Sequence, residues 1–148
     1  MPASTSRKPV VAILAMPETS ASIVYGMYDV FSLAGRDWDY IATGVPGQGA
    51  VKPVIVAAGT DVLTVLNQVH IRPQATFDDI DVPDVVCVPD LAIDPLAPVE
   101  EGRFAREVEW LRRCHAAGSI LASACSGTLL FAEAGLLDGC DATTHWAY

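Results

Sequence analysis

No apolar run in this 148-residue chain approaches the length of a membrane-spanning helix; segments such as "VVAILAM" (10–16) are far too short. The opening "MPASTSRKP" has neither the apolar core nor the cleavage site of a signal peptide, so a cytoplasmic location is expected. Basic residues are scarce. Nine Lys and Arg stand against 18 Asp and Glu, a formal charge of −9, and only Arg7–Lys8 and Arg112–Arg113 are neighbours. Phosphate backbones require clustered cations, so no nucleic-acid contact is expected through this chain. The four cysteines, Cys87, Cys114, Cys125 and Cys140, form no CxxC pair and no metal-ligand spacing. Reduced thiols are expected, with no metal and no cofactor. His70 and His115 have no evident partner, and the chain shows no repeat, linker or low-complexity tract.

Apolar material is plentiful. At 51% hydrophobic residues, a single domain over 1–148 can build a core. Four runs, "VVAILAM" (10–16), "PVIVAA" (53–58), "DVVCVP" (84–89) and "SILASA" (119–124), are Val/Ile/Ala-rich without alternation, as parallel strands covered on both faces should be. Helical patterns lie between them. In 20–35 the stripe Ile23, Met27, Val30, Phe31, Ala34 ends at Gly35. In 100–118 the stripe is Phe104, Val108, Leu111, with acids first, bases last and Gly118 as a cap. A third helix, "GTLLFAEAGLL" (127–137), ends near Gly135. Alternating strands and helices predict a three-layer α/β fold, an open and mostly parallel sheet with helices on both faces. "VPGQGA" (45–50) reads as a loop, "VLNQVHI" (65–71) as a hairpin and "FDDIDVPD" (77–84) as a solvated loop. The final "DATTHWAY" reads as a strand with nothing after it to cover it.

One thiol stands out. In "ILASACSGTLLFAEAGLL" (120–137) a strand turns into a helix at Cys125, between Ala124 and Ser126, with Gly127 next. Ligands gather at the carboxyl ends of strands in open α/β sheets. A nucleophile on such an elbow is exposed at the rim, and the N–H groups of the following helix favour its thiolate. Cys87 falls mid-strand and Cys114 late in a helix, both packing positions, and Cys140 sits in a Gly-Cys-Asp turn.

The block "ASACSGTLLFAEAGLLDGCDATTHW" (122–146) resembles the nucleophile-elbow region of the ThiJ/PfpI superfamily, with His145 lying 20 residues after Cys125. That resemblance implies a flavodoxin-like, class I glutamine-amidotransferase-like fold and a homodimer. It extends through "VVAILAMPE" and "DVVCVPD". "PETSASIVYGMYDVFSLAGRDWD" and "VPDLAIDP" look most like the branch fused to an AraC-type helix-turn-helix domain, which would be the part that meets DNA. The family pattern continues past "THW" with further strands and a last helix, so the domain is expected to lack those elements.

Two departures bear on catalysis. Where family enzymes carry an acid early in the first helix, this chain has Ile23, and Glu18 lies before the helix. Where hydrolytic and hydratase members have Pro-Gly-Gly, it has Asp90 and Leu91, a carboxylate in place of an oxyanion-binding glycine. Ser126 also replaces the His of protease-like members. The expected reading is a ligand- or redox-sensing domain of an AraC-type regulator, with little or no catalysis. Ile23, Asp90, Leu91, Ser126 and Gly127 would line its small-molecule pocket beside the reactive Cys125, with His145 supporting. The alternative is a cysteine-nucleophile hydratase or hydrolase resembling the isonitrile hydratases.

Overall fold

The computed structural model describes residues 7–97, 100 and 102–148, so the first six residues of the N-terminal tail and Glu101 of the acidic opening expected for the 100–118 helix lie outside the described residues. Val10–Leu14 (β1) leads into Ala21–Leu33 (α1) and Asp37–Thr43 (α2). Lys52–Ala57 (β2) is followed by the hairpin Leu63–Thr64 (β3) and His70–Ile71 (β4), then by Ala75–Thr76 (β5). Val85–Val88 (β6), Ala105–Ala116 (α3), Ile120–Ser123 (β7) and Thr128–Glu133 (α4) complete the order. Five strands form one parallel sheet in the order β5-β2-β1-β6-β7. All four apolar runs are strands of it.

The lack of alternation in β1 has a direct cause. Val11 and Ile13 pack with Val24, Ile55 and Cys87 on the α1 face, while Ala12 and Leu14 pack with Val86, Leu111 and Leu130 on the α3–α4 face. Each inner strand is therefore apolar on both sides. β7 departs from that expectation. Its Leu121 packs against the α3–α4 core, but Ile120 is 66% exposed, because β7 is an edge strand whose other face no helix covers among the described residues.

Helix faces are partly as the periodicity implies. In α3, Phe104, Val108 and Leu111 are buried as expected, and Trp110 joins them: it stacks on Phe77 at 4.7 Å and its Nε1–H donates to the Ile80 carbonyl at 3.0 Å. α1 is rotated from its expected stripe. Val24 is its one buried residue, flanked by Met27, Tyr28 and Phe31, whereas Ile23 and Val30 face outward. α2 went unforeseen because it has no inward face; none of its residues is buried. "DATTHWAY" is irregular with a turn at its end, so the expected terminal strand is absent from the described residues. The 65–71 hairpin is real, with Leu63 opposite Ile71 and Asn67 in the left-handed region at the turn.

The acidic segment 77–84 is more than a solvated loop. Asp79 accepts from the N–H and hydroxyl of Thr76, which lower its carboxyl below the usual range. Asp84 is held low chiefly by the Arg7 guanidinium and then by the Val10 N–H at 2.7 Å, which tie it to the start of β1.

The two edges of the sheet differ. β5 covers only Val56 and Ala57 of β2. Just before β5, the Gln74 side chain accepts from the Ile55 N–H at 2.9 Å while the Gln74 N–H donates to the Ile55 carbonyl at 2.8 Å. Pro53 faces the same way as Ile55 and has no N–H to leave unpaired. On the other side, Ile120 and Ala124 bond back to Asp84 and Val88, so the peptide groups of Leu121 and Ser123 point outward along an edge with no paired strand among the described residues.

Candidate functional site

β7 ends in a sharp elbow. Ala124 is still extended and donates its N–H to the Val88 carbonyl, the last rung to β6, at 2.9 Å. Cys125 then takes φ +53°, left-handed backbone that non-glycine residues rarely adopt. Such a conformation costs about 1–3 kcal/mol and persists only where surrounding contacts enforce it. Those contacts are visible. Ser126, buried, donates its hydroxyl to the Leu91 carbonyl and accepts from the Leu91 N–H, both at 2.8 Å. Thr128 and Thr144 donate their hydroxyls to the Cys125 carbonyl at 3.3 and 3.2 Å. Thr128, its proton so used, accepts from Ser123 at 2.8 Å. These threonines went unforeseen; their only signal in the sequence is a hydroxyl-rich rim on either side of the thiol.

Three loops meet at this carboxyl end of the sheet. Thr19, after β1, bridges to Leu91, after β6, and the elbow of β7 clamps Leu91 from the other side. Asp90 does not face the thiol as a free charge: its carboxylate accepts from the Ser20 N–H and hydroxyl and so caps the start of α1. Glu18 is held by Arg103.

Cys125 is exposed and opens into a cleft of about 290 Å³. Leu121, Phe131 and Leu137 form its apolar part, Ser123, Thr128 and Thr144 its hydroxyl rim, and no charged side chain lines it. Of the residues expected around the thiol, few share this cleft. Ser126, Gly127 and Leu91 are buried and serve the turn itself. Ile23 stands outward on the first turn of α1 at 37% exposure and does not line the cleft. His145 is half-buried, its Nδ1 accepting from the Ala147 N–H at 3.2 Å and its ring set between Trp146 and Tyr148. It makes no hydrogen bond to Cys125 among the described residues. α4 spans six residues, shorter than the sequence implied, so its dipole adds little at the elbow.

The other thiols sort by burial. Burial raises the Cys87 thiol above its ordinary value and pushes Cys114 up to about 11, while Cys140 is exposed. Because the thiolate is the reactive form, alkylation of the folded chain near neutral pH is expected to modify Cys125 and Cys140 and to leave Cys87 and Cys114 intact until denaturant is added. Site-by-site mass spectrometry reads this directly. Early labelling of Cys114 would contradict it. No cluster of three or more His, Cys, Asp or Glu suited to a metal occurs among the described residues, and no helix there is long and apolar enough to cross a membrane.

A parallel α/β sheet with a strained cysteine elbow at its carboxyl end defines a class I glutamine-amidotransferase-like fold, and comparison with known proteins places it more closely. A ThiJ/PfpI family protein from Pseudomonas syringae superposes with a TM-score of 0.73 at 26% identity, over 95% of this chain and 51% of that one. An AraC family transcriptional regulator from Pseudomonas putida superposes at 0.61 and 15% identity, over 90% and 64%. Isonitrile hydratase from Pseudomonas putida is 40% identical over 80 residues, 53% of this chain and 33% of that protein. No protein-family model matches the sequence. The chain has the fold of the DJ-1/ThiJ/PfpI superfamily. It spans about a third of the hydratase and half of the Pseudomonas syringae protein.

Proposed function

We propose that the protein is a cysteine-dependent hydratase for a small uncharged substrate of the isonitrile type. The observation that carries this reading is the exposed, left-handed Cys125 at the mouth of a cleft that holds no charge. The likeness to isonitrile hydratase supports it and displaces the regulatory reading from first place. In the reaction, the Cys125 S–H adds to the terminal carbon of R–NC, forming one S–C and one C–H bond and leaving a thioimidate. Water then adds to its C=N bond. Breaking the C–S bond releases R–NH–CHO and restores the thiol.

The apolar part of the cleft would take the R group, and the hydroxyls of Ser123, Thr128 and Thr144 the polar end. No carboxyl or imidazole bonds the thiol among the described residues, so proton transfer falls to these hydroxyls and to solvent. A positioned acid or base typically contributes about 10²–10⁴-fold, so turnover is expected to be slow. The test is formamide production from a small alkyl isonitrile, followed by mass spectrometry. The folded chain should form product and a transient thioimidate on Cys125, and Cys125→Ala should form neither. Product that survives in Cys125→Ala, or no product from the wild type, would overturn the reading.

A second reading, a sensing domain of an AraC-type regulator that dimerises and meets DNA through a separate helix-turn-helix domain, is favoured by one observation. The helix position where family enzymes carry an acid is filled by the outward-facing Ile23. It predicts stoichiometric modification or binding at Cys125 with no release of formamide.

A further inference from the structure

At the opposite end of the sheet from the thiol lies a larger cleft, of about 800 Å³. It opens where β5 runs out, on the side of β2 away from β1, where the first half of β2 has no strand beside it among the described residues. One wall is the end of α1 with the segment that follows it. Gly35, at φ +69°, lets that segment lie against residue 50, where a Cβ would come within 2.9 Å of the Ala50 nitrogen. Its lining gathers Arg7, Lys8, Arg36 and Lys52, four of the nine basic residues of the chain, and no Asp or Glu.

The charge balance there is specific. Arg7 is paired with Asp84 and Arg36 with Asp37. Lys8 bonds only the neutral carbonyl of Gln48, and Lys52 has no acidic partner among the described residues. Two ammonium groups are thus left without an acidic partner, a local positive patch in a chain whose formal charge is −9. Beside them stand the Tyr28 phenol, hydrogen-bonded to Gln74 at 3.2 Å, and the apolar Val10 and Ile80. A cleft of this volume is in the size range of small-molecule sites, about 300–1,000 Å³.

We infer that this cleft binds a dianionic phosphate monoester carrying a planar ring, a ligand of nucleoside-monophosphate size. The two ammonium groups without acidic partners match the two charges of the phosphate, and the Tyr28, Val10 and Ile80 side chains that line the cleft supply apolar surface for the ring. The site is independent of the thiol chemistry, since Cys125 lies at the carboxyl end of β7 and these lysines lie before β1 and at the start of β2.

The test is titration of the isotope-labelled chain with AMP, with inorganic phosphate and adenosine as separate arms, followed by amide chemical shifts. AMP should saturate below about 1 mM and move the signals of Val10, Tyr28, Lys52 and Gln74. Inorganic phosphate should move the Lys52 signal more weakly. Replacing Lys8 and Lys52 together by Ala should weaken AMP binding by about tenfold or more, since charge-assisted contacts are the strong ones. Lys52→Arg should retain most of the affinity, and Arg106→Ala, outside the cleft at the carboxyl end of β2, should change nothing. Both lysines are exposed, so these variants should fold. The inference is overturned by the absence of saturable shifts, by shifts centred elsewhere, by adenosine binding as well as AMP, or by full affinity in the double variant.

Discussion

Gly127→Ala is expected to destabilise the protein by about 3 kcal/mol or more, among the largest effects of any single methyl added to this chain. The reason is space rather than backbone freedom, because Gly127 has ordinary helical angles, φ −58° and ψ −23°. A Cβ there would stand 2.7 Å from the Val88 carbonyl oxygen and closer still to that of Pro89. Neither oxygen can move aside cheaply. Val88 is a ladder residue whose carbonyl already accepts from Ala124, and Pro89 is followed by the segment that Ser126 clamps at Leu91. The elbow would have to open, carrying Cys125 with it. Denaturant midpoints of the two chains measure the loss, and Cys125 alkylation should change rate in parallel. A variant within about 1 kcal/mol of the wild type would show that the elbow and the end of β6 are not in this close contact.

Ser126→Ala should cost about 1–3 kcal/mol, because it strands the buried Leu91 N–H and leaves the Leu91 carbonyl with only the Ile93 N–H. The hydroxyl is bonded to the N–H and the carbonyl of Leu91, and both residues are buried away from water that could replace it. The same substitution releases the loop after β6 from the elbow, so the left-handed angle at Cys125 loses one of the contacts that enforce it. Equilibrium unfolding gives the first effect. A stability change below about 0.5 kcal/mol would mean that Leu91 finds other partners. Ser126→Cys, similar in size with a weaker donor, should fall between the two.

Much of this architecture was legible because the strands are buried on both faces and so carry an uninterrupted apolar signal. The elbow was legible for a different reason: small residues around a thiol at a strand-to-helix junction permit the tight bend that holds a side chain out at the rim. What escaped depends on tertiary contact. The stripe drawn through Ile23 and Val30 differs from the true face of α1 by about one residue. Apolar residues lie on both sides of this helix, and only the sheet beneath it decides which are covered. α2 has no buried face to leave a periodicity. The contact of Asp90 with Ser20 escaped because the two lie 70 residues apart, on different loops. The threonines on the Cys125 carbonyl lie three and 19 residues along the chain, and no local pattern marks them.

The unlike edges of the sheet give it a direction of growth. Along β2, a ring nitrogen without hydrogen and a borrowed side-chain amide end the hydrogen-bonding pattern, so lateral extension stops there. Along β7, Leu121 and Ser123 present their peptide groups outward, and both also line the cleft of Cys125. Extension of the sheet is therefore one-way, and its open side is the side of the thiol. Any strand laid there would form a new wall for the same cleft, and the substrate space around the sulfur would be set by what lies beside β7.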